Sequence, residues 1–406
     1  MGDSRAYEAD FPWLEFVLDL DTLPWSTWAH LGESFSKCRH LIGTPLKPGV
    51  AVAMAGVFMR RGALASAAIE GNTLTEAEVE DIVVMDRHLP DSRQYLEQEV
   101  RNVLAALENI RADAARDRAF RLTPDLLRQM HAELMQGLDT DAHVVAGEFR
   151  DVVVGVGTYR APPAADTAYL VERLCSWVNA ILDDARSQPT QEKSFFYWFL
   201  AATLAHLYVA WIHPFGDGNG RTARLVECAI LANSGHVPWI STNLLSDFYN
   251  QTRNRYYAVL AATSARRKPL LFVEYSAEGY RDQLRDQIDV VQLEQRKVAW
   301  INYVHELFQD EPPTPTASRR RLVALSLPEE PAHNRTQIRH LTPELAEAYA
   351  GTSQRLFRRD MSRLVELGLI EEQPAGLFRA RVDVIDAFKP TADDGALMPA
   401  RLRREA

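Results

Sequence analysis

From Phe195 to Ile212 the chain carries no charged residue, which reads as a helix buried on all sides. After a polar interval, apolar residues return at Leu225, Val226, Ala229, Ile230 and Leu231, a spacing that predicts a second buried helix ending at Asn233-Ser234-Gly235. Upstream, the small residues between Leu64 and Ile69 predict a closely packed helix with Gly71-Asn72 as its C-terminal cap. Thr75-Glu76-Ala77-Glu78 has the form of a capping box opening another helix. Helical periodicity also marks Gln94–Ile110 and Pro124–Met135, the latter introduced by Thr123-Pro124. Residues 1–50 place Trp13, Trp25 and Trp28 among prolines and short apolar clusters, and read as packed irregular structure.

A β-rich run replaces this periodicity from Val152 to Tyr159, followed by Ala161-Pro162-Pro163. A lone hairpin is marginally stable, so this one must lie against the helical body. Leu284, Ile288, Val291, Val298, Ile301 and Val304 predict one long helix between Glu278 and Phe308, about 45 Å at ~1.5 Å per residue. Gln309–Thr316, rich in proline, breaks it and reads as a linker. Helical stretches follow at Arg319–Leu325, Pro343–Tyr349 and Ser353–Leu367, then a short hairpin from Gly368-Leu369-Ile370 and Gly376-Leu377-Phe378. Residues 390–406 read as a disordered tail.

Composition narrows the class. The chain has 406 residues, 47% hydrophobic and 25% charged, with a net charge of −10, so its surface as a whole does not advertise nucleic-acid binding. Cys38, Cys175 and Cys228 lie far apart with no metal-ligand spacing, which fits a reducing, cytoplasmic setting. The uncharged run is long enough to span a membrane, but it holds His206 and runs straight into a polar loop, so it reads as a core helix and no membrane is expected. His131 and His143 have no partners at ligand spacing and read as structural.

The loop between the two buried helices gathers most of the candidate chemistry: His213-Pro214-Phe215-Gly216-Asp217-Gly218-Asn219-Gly220-Arg221-Thr222-Ala223-Arg224. Its glycines allow close backbone approach, and successive amides at a helix start can cradle an anion. Arg221 and Arg224 in the first turn can each grip phosphate with two hydrogen bonds, and as cations there they oppose the helix dipole unless an anion is bound. Asp217 offers a hard oxygen suited to Mg²⁺ shared with phosphates, and His213 can take a proton near neutral pH. Walker, dinucleotide and EF-hand patterns all need other residues at fixed positions here. The set fits a polyphosphate beside a proton acceptor.

This stretch resembles the Fic family signature, His-Pro-Phe-x-Asp/Glu-Gly-Asn-Gly-Arg-x-x-Arg, without a departure. The resemblance covers roughly residues 50–310. It implies a mainly α Fic helical core with a β-hairpin flap at 152–161 that holds a target segment. It also implies an activity, moving AMP from ATP to a Ser, Thr or Tyr hydroxyl of a protein with Mg²⁺. Carried over, His213 deprotonates the hydroxyl and Asp217 holds Mg²⁺. Gly216, Gly218, Asn219 and Gly220 line the anion nest, Arg221 contacts phosphates, and Arg224 reaches the γ-phosphate. Ser66-x-x-x-Glu70-Gly71 resembles the family's inhibitory motif, whose glutamate pairs with the second signature arginine, here Arg224. Taken alone, Glu70 reads as a solvated helix-end residue. Tyr249, Asn250, Tyr256 and Tyr257 lie where the family commonly contacts adenine, with Tyr249 and Asn250 as the expected contacts, and ordinary amphipathic packing is the favoured reading for any single tyrosine. Removal of AMP, with Glu70 placing a water, is the reverse reading, and self-modification and a homodimer are left open.

The last helices and hairpin resemble a winged helix, giving a small C-terminal α+β domain. Its third helix carries Arg355, Arg358, Arg359 and Arg363. Between Ser318 and Lys389, 12 Lys and Arg stand against 10 Asp and Glu, a net of +2, so the rest of the chain carries −12. This asymmetry points to DNA contact through 318–389, with a sensing Fic core as a second functional hypothesis, and a docking module as the alternative. The expected organisation is an N-terminal helical region over 1–110, a catalytic core over 111–276, a long helix and linker over 277–317, the winged-helix-like domain over 318–389, and the tail.

Overall fold

A computed structural model describes residues 5–116, 119–157 and 159–386. Thr158, within the β-rich run, and the expected tail lie outside them. In chain order the helices of the first part are α1 (Ala6–Asp10), α2 (Trp25–Ile42), α3 (Pro48–Ile69), α4 (Glu76–Val84), α5 (Gln94–Ala114) and α6 (Pro124–Met135). The strands β1 (Gly155–Val156) and β2 (Tyr159–Arg160) follow, then α7 (Thr167–Ser187), α8 (Gln191–Ile212), α9 (Asn219–Ala232), α10 (Leu244–Gln251), α11 (Arg253–Arg266) and α12 (Leu270–Leu307).

Helix α8 is apolar on every face and accordingly central, packed against α7, α9 and α2. Both α3 and α8 are long and apolar enough to cross a membrane, yet 83% of the apolar window of α8 is buried within the fold. Leu200, Leu204 and Leu207 are fully buried there. Each such leucine is worth ~2–5 kcal/mol against truncation to alanine, which anchors the loop that leaves this helix. Helix α3 packs on α4, α5 and α10, and Leu64, Ala67, Leu74, Val79, Ile82, Leu96 and Val100 form one cluster beneath its last turns. Thr75 caps α4 through a full capping box with Glu78, and Thr123 caps α6 ahead of Pro124, as their sequences imply. The cysteines are free and buried, and burial pushes each thiol up to about 12.

In the first part, two elements differ from expectation. The 1–50 region holds α2, whose buried side includes Thr27, Leu31, Ser34, Cys38 and Leu41. Its small polar members hide the apolar stripe from a reading by hydropathy. The β-rich run pairs over two residues per strand only, with Gly155 opposite Arg160 and Val156 opposite Tyr159.

The chain divides into two compact units after Ile288. The division falls inside α12 rather than at the proline-rich stretch, because Trp300, Val304 and Phe308 join the core of the second unit. That unit continues with α13 (Pro315–Ser326), β3 (His333–Asn334), α14 (Arg335–Ile338), α15 (Pro343–Ala348), α16 (Gln354–Glu366), β4 (Ile370–Gln373) and β5 (Leu377–Ala380). The strands form an antiparallel sheet in the order β3-β5-β4, one strand more than the expected hairpin. Asp360, fully buried, accepts from Arg320 Nε at 2.9 Å and from the Tyr349 hydroxyl at 3.2 Å, tying α13 and α15 to α16. Phe357, Met361 and Leu364 bury one face of α16, leaving Arg355, Arg358 and Arg359 exposed on the other. The architecture is mainly helical with small antiparallel sheets.

Candidate active site

The signature loop is held from three sides. Its helix ends at Ile212, and His213 turns the chain with a left-handed backbone, φ 51°. That conformation costs a non-glycine residue free energy of order 1 kcal/mol and persists only where neighbours enforce it. Arg150 is the enforcing residue. Buried, it donates from Nε to His213 O at 2.7 Å, from Nη2 to Ile212 O at 3.4 Å, and from its own backbone N–H to Pro214 O at 2.9 Å. The same guanidinium holds both legs of the flap, through Val152 O at 2.7 Å and Pro162 O at 2.6 Å. The Tyr159 hydroxyl adds a bond to Trp211 O at 2.5 Å. One side chain therefore fixes flap and loop together.

From a second side, the His131 ring stacks on Phe215 at 3.8 Å between centroids. Its Nδ1 accepts from the Gly147 N–H at 2.9 Å, so Nε2 carries the proton donated to Asp217 O at 3.0 Å. Burial holds this imidazole neutral, its pKa lowered to about 4. His131 is structural, as expected, and the structure it holds is the candidate loop. Within the loop, the Asn219 side chain accepts from Phe215 N–H at 2.9 Å and donates to Phe215 O at 2.8 Å. Asn219 thus braces the turn from inside. Gly218 opens α9 at φ 72°, a conformation that suits glycine.

The His213 Nδ1 lies 3.1 Å from Ala210 O, which places the proton there and leaves the Nε2 lone pair free. Burial lowers its pKa, and the charge of Arg150 acts in the same direction, against the opposing hydrogen bond, Glu70 and Asp217. The ring is a neutral base at pH 7. It lines a cavity of about 420 Å³ together with Glu70, Gly220 and Arg224. The flap contributes Gly157 and Tyr159, and α11 contributes Tyr256, Tyr257, Leu260 and Ala261. The spacing of the α11 residues puts an apolar and aromatic strip along one wall.

Arg224 is fully buried, and three bonds fix it. Nε donates to Ser66 Oγ at 2.9 Å, Nη2 donates to Ser66 O at 2.9 Å, and Nη2 also donates to Glu70 Oε1 at 2.7 Å. Nη1 is buried with no hydrogen-bond partner. Glu70 ends α3 as its C-cap and keeps a third of its side chain exposed. Burial works against its ionised form, but the Arg224 charge and hydrogen bond, with Arg221 and His213, outweigh it and hold the pKa below the usual carboxylate range. A Cβ at Gly220 would collide with Glu70 Oε1, so the carboxylate sits against the first turn of α9. The position expected for a ligand anion is filled by an anion of the chain.

Arg221, also buried, donates to Glu99 Oε1 at 3.0 Å and to Asp217 Oδ2 at 3.5 Å. Glu99 in turn accepts from Asn72 Nδ2 at 2.9 Å, linking the segment after Glu70 to the loop. The Asp217 carboxylate is mostly exposed, at 60% of its side chain. Among the described residues no group of three or more His, Cys, Asp and Glu stands ready to cage a metal. One exposed carboxylate fits a Mg²⁺ that arrives largely coordinated by phosphates and water. Gly216 lies against Val144 and His143 and is not among the residues lining the cavity.

The expected base contacts need correction. Tyr249 is fully buried away from the cavity lining, its hydroxyl 3.0 Å from Glu227 Oε1 and 2.8 Å from Ser276 Oγ. Asn250 also lies outside the lining. The phase of α10 turns Tyr249 into the core, and, beside Tyr159 of the flap, the tyrosines that line the cavity are Tyr256 and Tyr257 of α11. Sequence reading missed Arg150, Glu99 and the role of His131. Each is a lone polar residue whose partners are distant along the chain, so no local pattern marks it.

Residues 121–231 match the model of the Fic/DOC family. That segment holds the whole signature loop, all of α8, and α9 up to Leu231. The chain is 31% identical over 196 residues to the protein adenylyltransferase Fic of Culex quinquefasciatus, covering 48% of this chain and 35% of that protein. The protein of the same description from Drosophila yakuba is matched to the same extent, 31% over 196 residues, with 48% and 35% covered. The chain thus spans about a third of the length of these curated relatives. Among solved structures, a Fic family protein from Desulfovibrio desulfuricans G20 superposes with a TM-score of 0.54 at 22% identity, covering 89% of this chain and 98% of that one. Fic-1 from C. elegans, residues 134–508, gives 0.51 at 22%, covering 66% and 74%. The fold is the Fic fold, and the matches support the Fic family for this part of the chain.

Proposed function

We propose that the chain transfers AMP from ATP to a Ser, Thr or Tyr hydroxyl of a protein, and that Glu70 restrains the transfer. The observation that carries this reading is one cavity lined by His213 as a neutral base, by the start of α9 and by Arg224, with Glu70 occupying the anion position. The relatives' description as protein adenylyltransferases supports the reaction class. In the transfer, the His213 Nε2 lone pair takes the proton of the target hydroxyl, whose oxygen forms a bond to the α-phosphorus. The bond from that phosphorus to the bridging oxygen breaks, and pyrophosphate leaves with the electron pair. Amides of Gly218, Asn219 and Gly220 and the Arg221 guanidinium receive the phosphates at the helix start. Asp217 would hold Mg²⁺, whose charge offsets that of the phosphates. Arg224 meets the γ-phosphate once Glu70 withdraws. The flap edge offers main-chain groups to an extended target segment. Its neighbours on the cavity wall, Tyr257, Leu260 and Ala261, accept the adenine.

The experiment is incubation of the full chain with each labelled nucleoside triphosphate, Mg²⁺ and protein extract, read by intact mass and peptide mapping. Addition of one AMP to a hydroxyl residue, on a partner or on the chain itself, is the expected result. Absence of any nucleotide transfer by both wild type and Glu70→Gly would overturn the reading. Loss of AMP from modified protein would assign the reverse direction.

A second reading concerns the second unit alone. Arg355, Arg358 and Arg359 project from α16 into solvent, whereas Arg363 is engaged by Glu366 at 3.2 Å. A helix face of guanidiniums that make no ion pair among the described residues, in a winged-helix-like arrangement, fits a DNA backbone. Titration of double-stranded DNA at low and high salt tests it, and no binding at low salt refutes it.

A further inference from the structure

Glu70 can sit on Arg224 only while the end of α3 stays in place, and two residues of α11 hold that end. The last four carbonyls of a helix have no full set of partners within it, so each must find one elsewhere. For α3 these are Ser66 O, Ala67 O, Ala68 O and Ile69 O. The segment after the helix closes two of them. The Asn72 N–H donates to Ala67 O at 3.1 Å and the Gly71 N–H to Ala68 O at 3.0 Å, with Gly71 at φ 107° making the turn. Side chains from other helices close the remaining two. Ser66 O accepts from Arg224 Nη2 at 2.9 Å. Ile69 O, the carbonyl next to Glu70, accepts from Arg253 Nη2 and from the Tyr257 hydroxyl, the latter at 3.1 Å.

The charges fit the same purpose. Glu70 is an anion at the negative end of α3, where a helix disfavours one, and a cation nearby offsets that. Arg253 is the first residue of α11, at the positive end of its own helix, where a cation is disfavoured. Its own helix gains nothing from this charge, whereas the end of α3 does. Tyr257 follows four positions later on the same face of α11. Arg224 uses one nitrogen, Nη2, for both Ser66 O and Glu70 Oε1. A phosphate that takes this nitrogen therefore removes a carbonyl partner and the carboxylate partner together. The last turn of α3 is then left to Arg253 and Tyr257 on one side and, on the other, to Asn72 Nδ2, which donates to Leu96 O at 2.9 Å. A Cβ at Gly71 would have no neighbour within 4 Å, so the turn after Glu70 has room to move.

We infer that Arg253 and Tyr257 are positioning residues of the restraint: they pin the last turn of α3 so that Glu70 stays on Arg224, and Glu70 withdraws by loosening of that turn. The inference rests on the reading of Glu70 as the restraint. Its signature is dependence on Glu70. A pin on the restraint matters only while the carboxylate is there, whereas a general packing defect acts with or without it. Withdrawal by rotation of the Glu70 side chain alone would leave Ile69 O bonded and make Arg253 irrelevant.

The test measures initial AMP transfer at saturating Mg-ATP for Arg253→Gln and Tyr257→Phe, each with Glu70 present and in the Glu70→Gly background. Arg253 is not among the residues lining the cavity, and glutamine keeps a polar side chain there without the charge. With Glu70 present, Arg253→Gln should raise transfer roughly 10-fold, the scale of a hydrogen bond to a charged group. In the Glu70→Gly background it should give no rise. Tyr257→Phe removes only the hydroxyl; because its ring lines the cavity, its effect is read as the ratio between the two backgrounds, which should favour the chain with Glu70 by less than 10-fold. Hydrogen exchange of the nucleotide-free chain supplies a second readout: the Gly71 and Asn72 amides should exchange faster in Arg253→Gln, with those of α8 unchanged. No rise in Arg253→Gln, an equal change in both backgrounds, or unchanged exchange at Gly71 and Asn72 would overturn the inference. The two levels separate cleanly. If Glu70→Gly is faster than wild type and Arg253→Gln is not, only the pinning fails; if Glu70→Gly is no faster, the restraint itself fails.

Discussion

On the proposed reading, replacing Glu70 with glycine removes an anion from the position a phosphate needs, and the geometry of that position sets the direction of the effect. The carboxylate accepts from Arg224 Nη2 at 2.7 Å and lies against Gly220 in the first turn of α9. On the proposed reading, a triphosphate can enter with it in place, but its γ-phosphate is denied both the guanidinium and the space above Gly220. The α-phosphate is then displaced from the line of attack by His213. A misplacement of about 1 Å costs ~10²-fold in rate, so Glu70→Gly should raise kcat for AMP transfer by about that factor. ATP affinity should change far less, because Arg221 and the loop amides are untouched. The stability cost is small for a buried ion pair. Glu70 is a third exposed, which screens the pair, and Arg224 keeps both bonds to Ser66. A loss of ~1 kcal/mol is expected. Because Arg224 depresses the Glu70 pKa, the carboxylate stays ionised far below neutrality, and its contribution to stability is lost only as pH falls through that lowered value. The ratio of variant to wild-type rate should therefore be flat from about pH 6 to 8. The assay is initial AMP transfer, including self-modification, at saturating Mg-ATP for wild type, Glu70→Gly, Arg224→Ala and the double variant. Arg224→Ala should not be rescued by Glu70→Gly. Equal rates for wild type and Glu70→Gly would refute the restraint.

Three further outcomes are expected. His213→Ala should lose ~10²–10⁴-fold in transfer rate while retaining ATP binding by calorimetry, and near-normal transfer would remove the ring from the mechanism. His131, held neutral with a pKa of about 4 against an ordinary 6.5, contributes stability that is full above pH ~6.5 and is lost as pH falls toward 4. Urea unfolding at pH 7 and pH 5 should show this acid loss in wild type and a smaller one in His131→Gln. Arg358→Glu with Arg359→Glu should abolish salt-sensitive DNA binding by the chain, and binding that persists at unchanged salt dependence would remove α16 from the interface.

Much of the site could be read from residues in a row. The signature loop, its two flanking helices and the capping boxes depend on neighbours a few positions apart, and local spacing governs them. Glu70 and Arg224 could be paired in advance only through resemblance, since 154 positions separate them. Tertiary packing alone decided what surrounds them. The 22 residues of α8 are so uniformly apolar that periodicity cannot say which face meets which neighbour. Only packing shows that His206 looks toward Glu227 and Tyr256. Tyr249 and Tyr256 have equal claims by type, and the phase of two short helices sends one into the core and the other into the cavity. Arg150 and Glu99 are single charges with no local pattern, drawn to the candidate site by carbonyls and guanidiniums brought from distant segments. Chain-local hydrogen bonding and hydropathy are written in the sequence. The partners of a buried polar group are not, because they depend on which helices the whole core brings together.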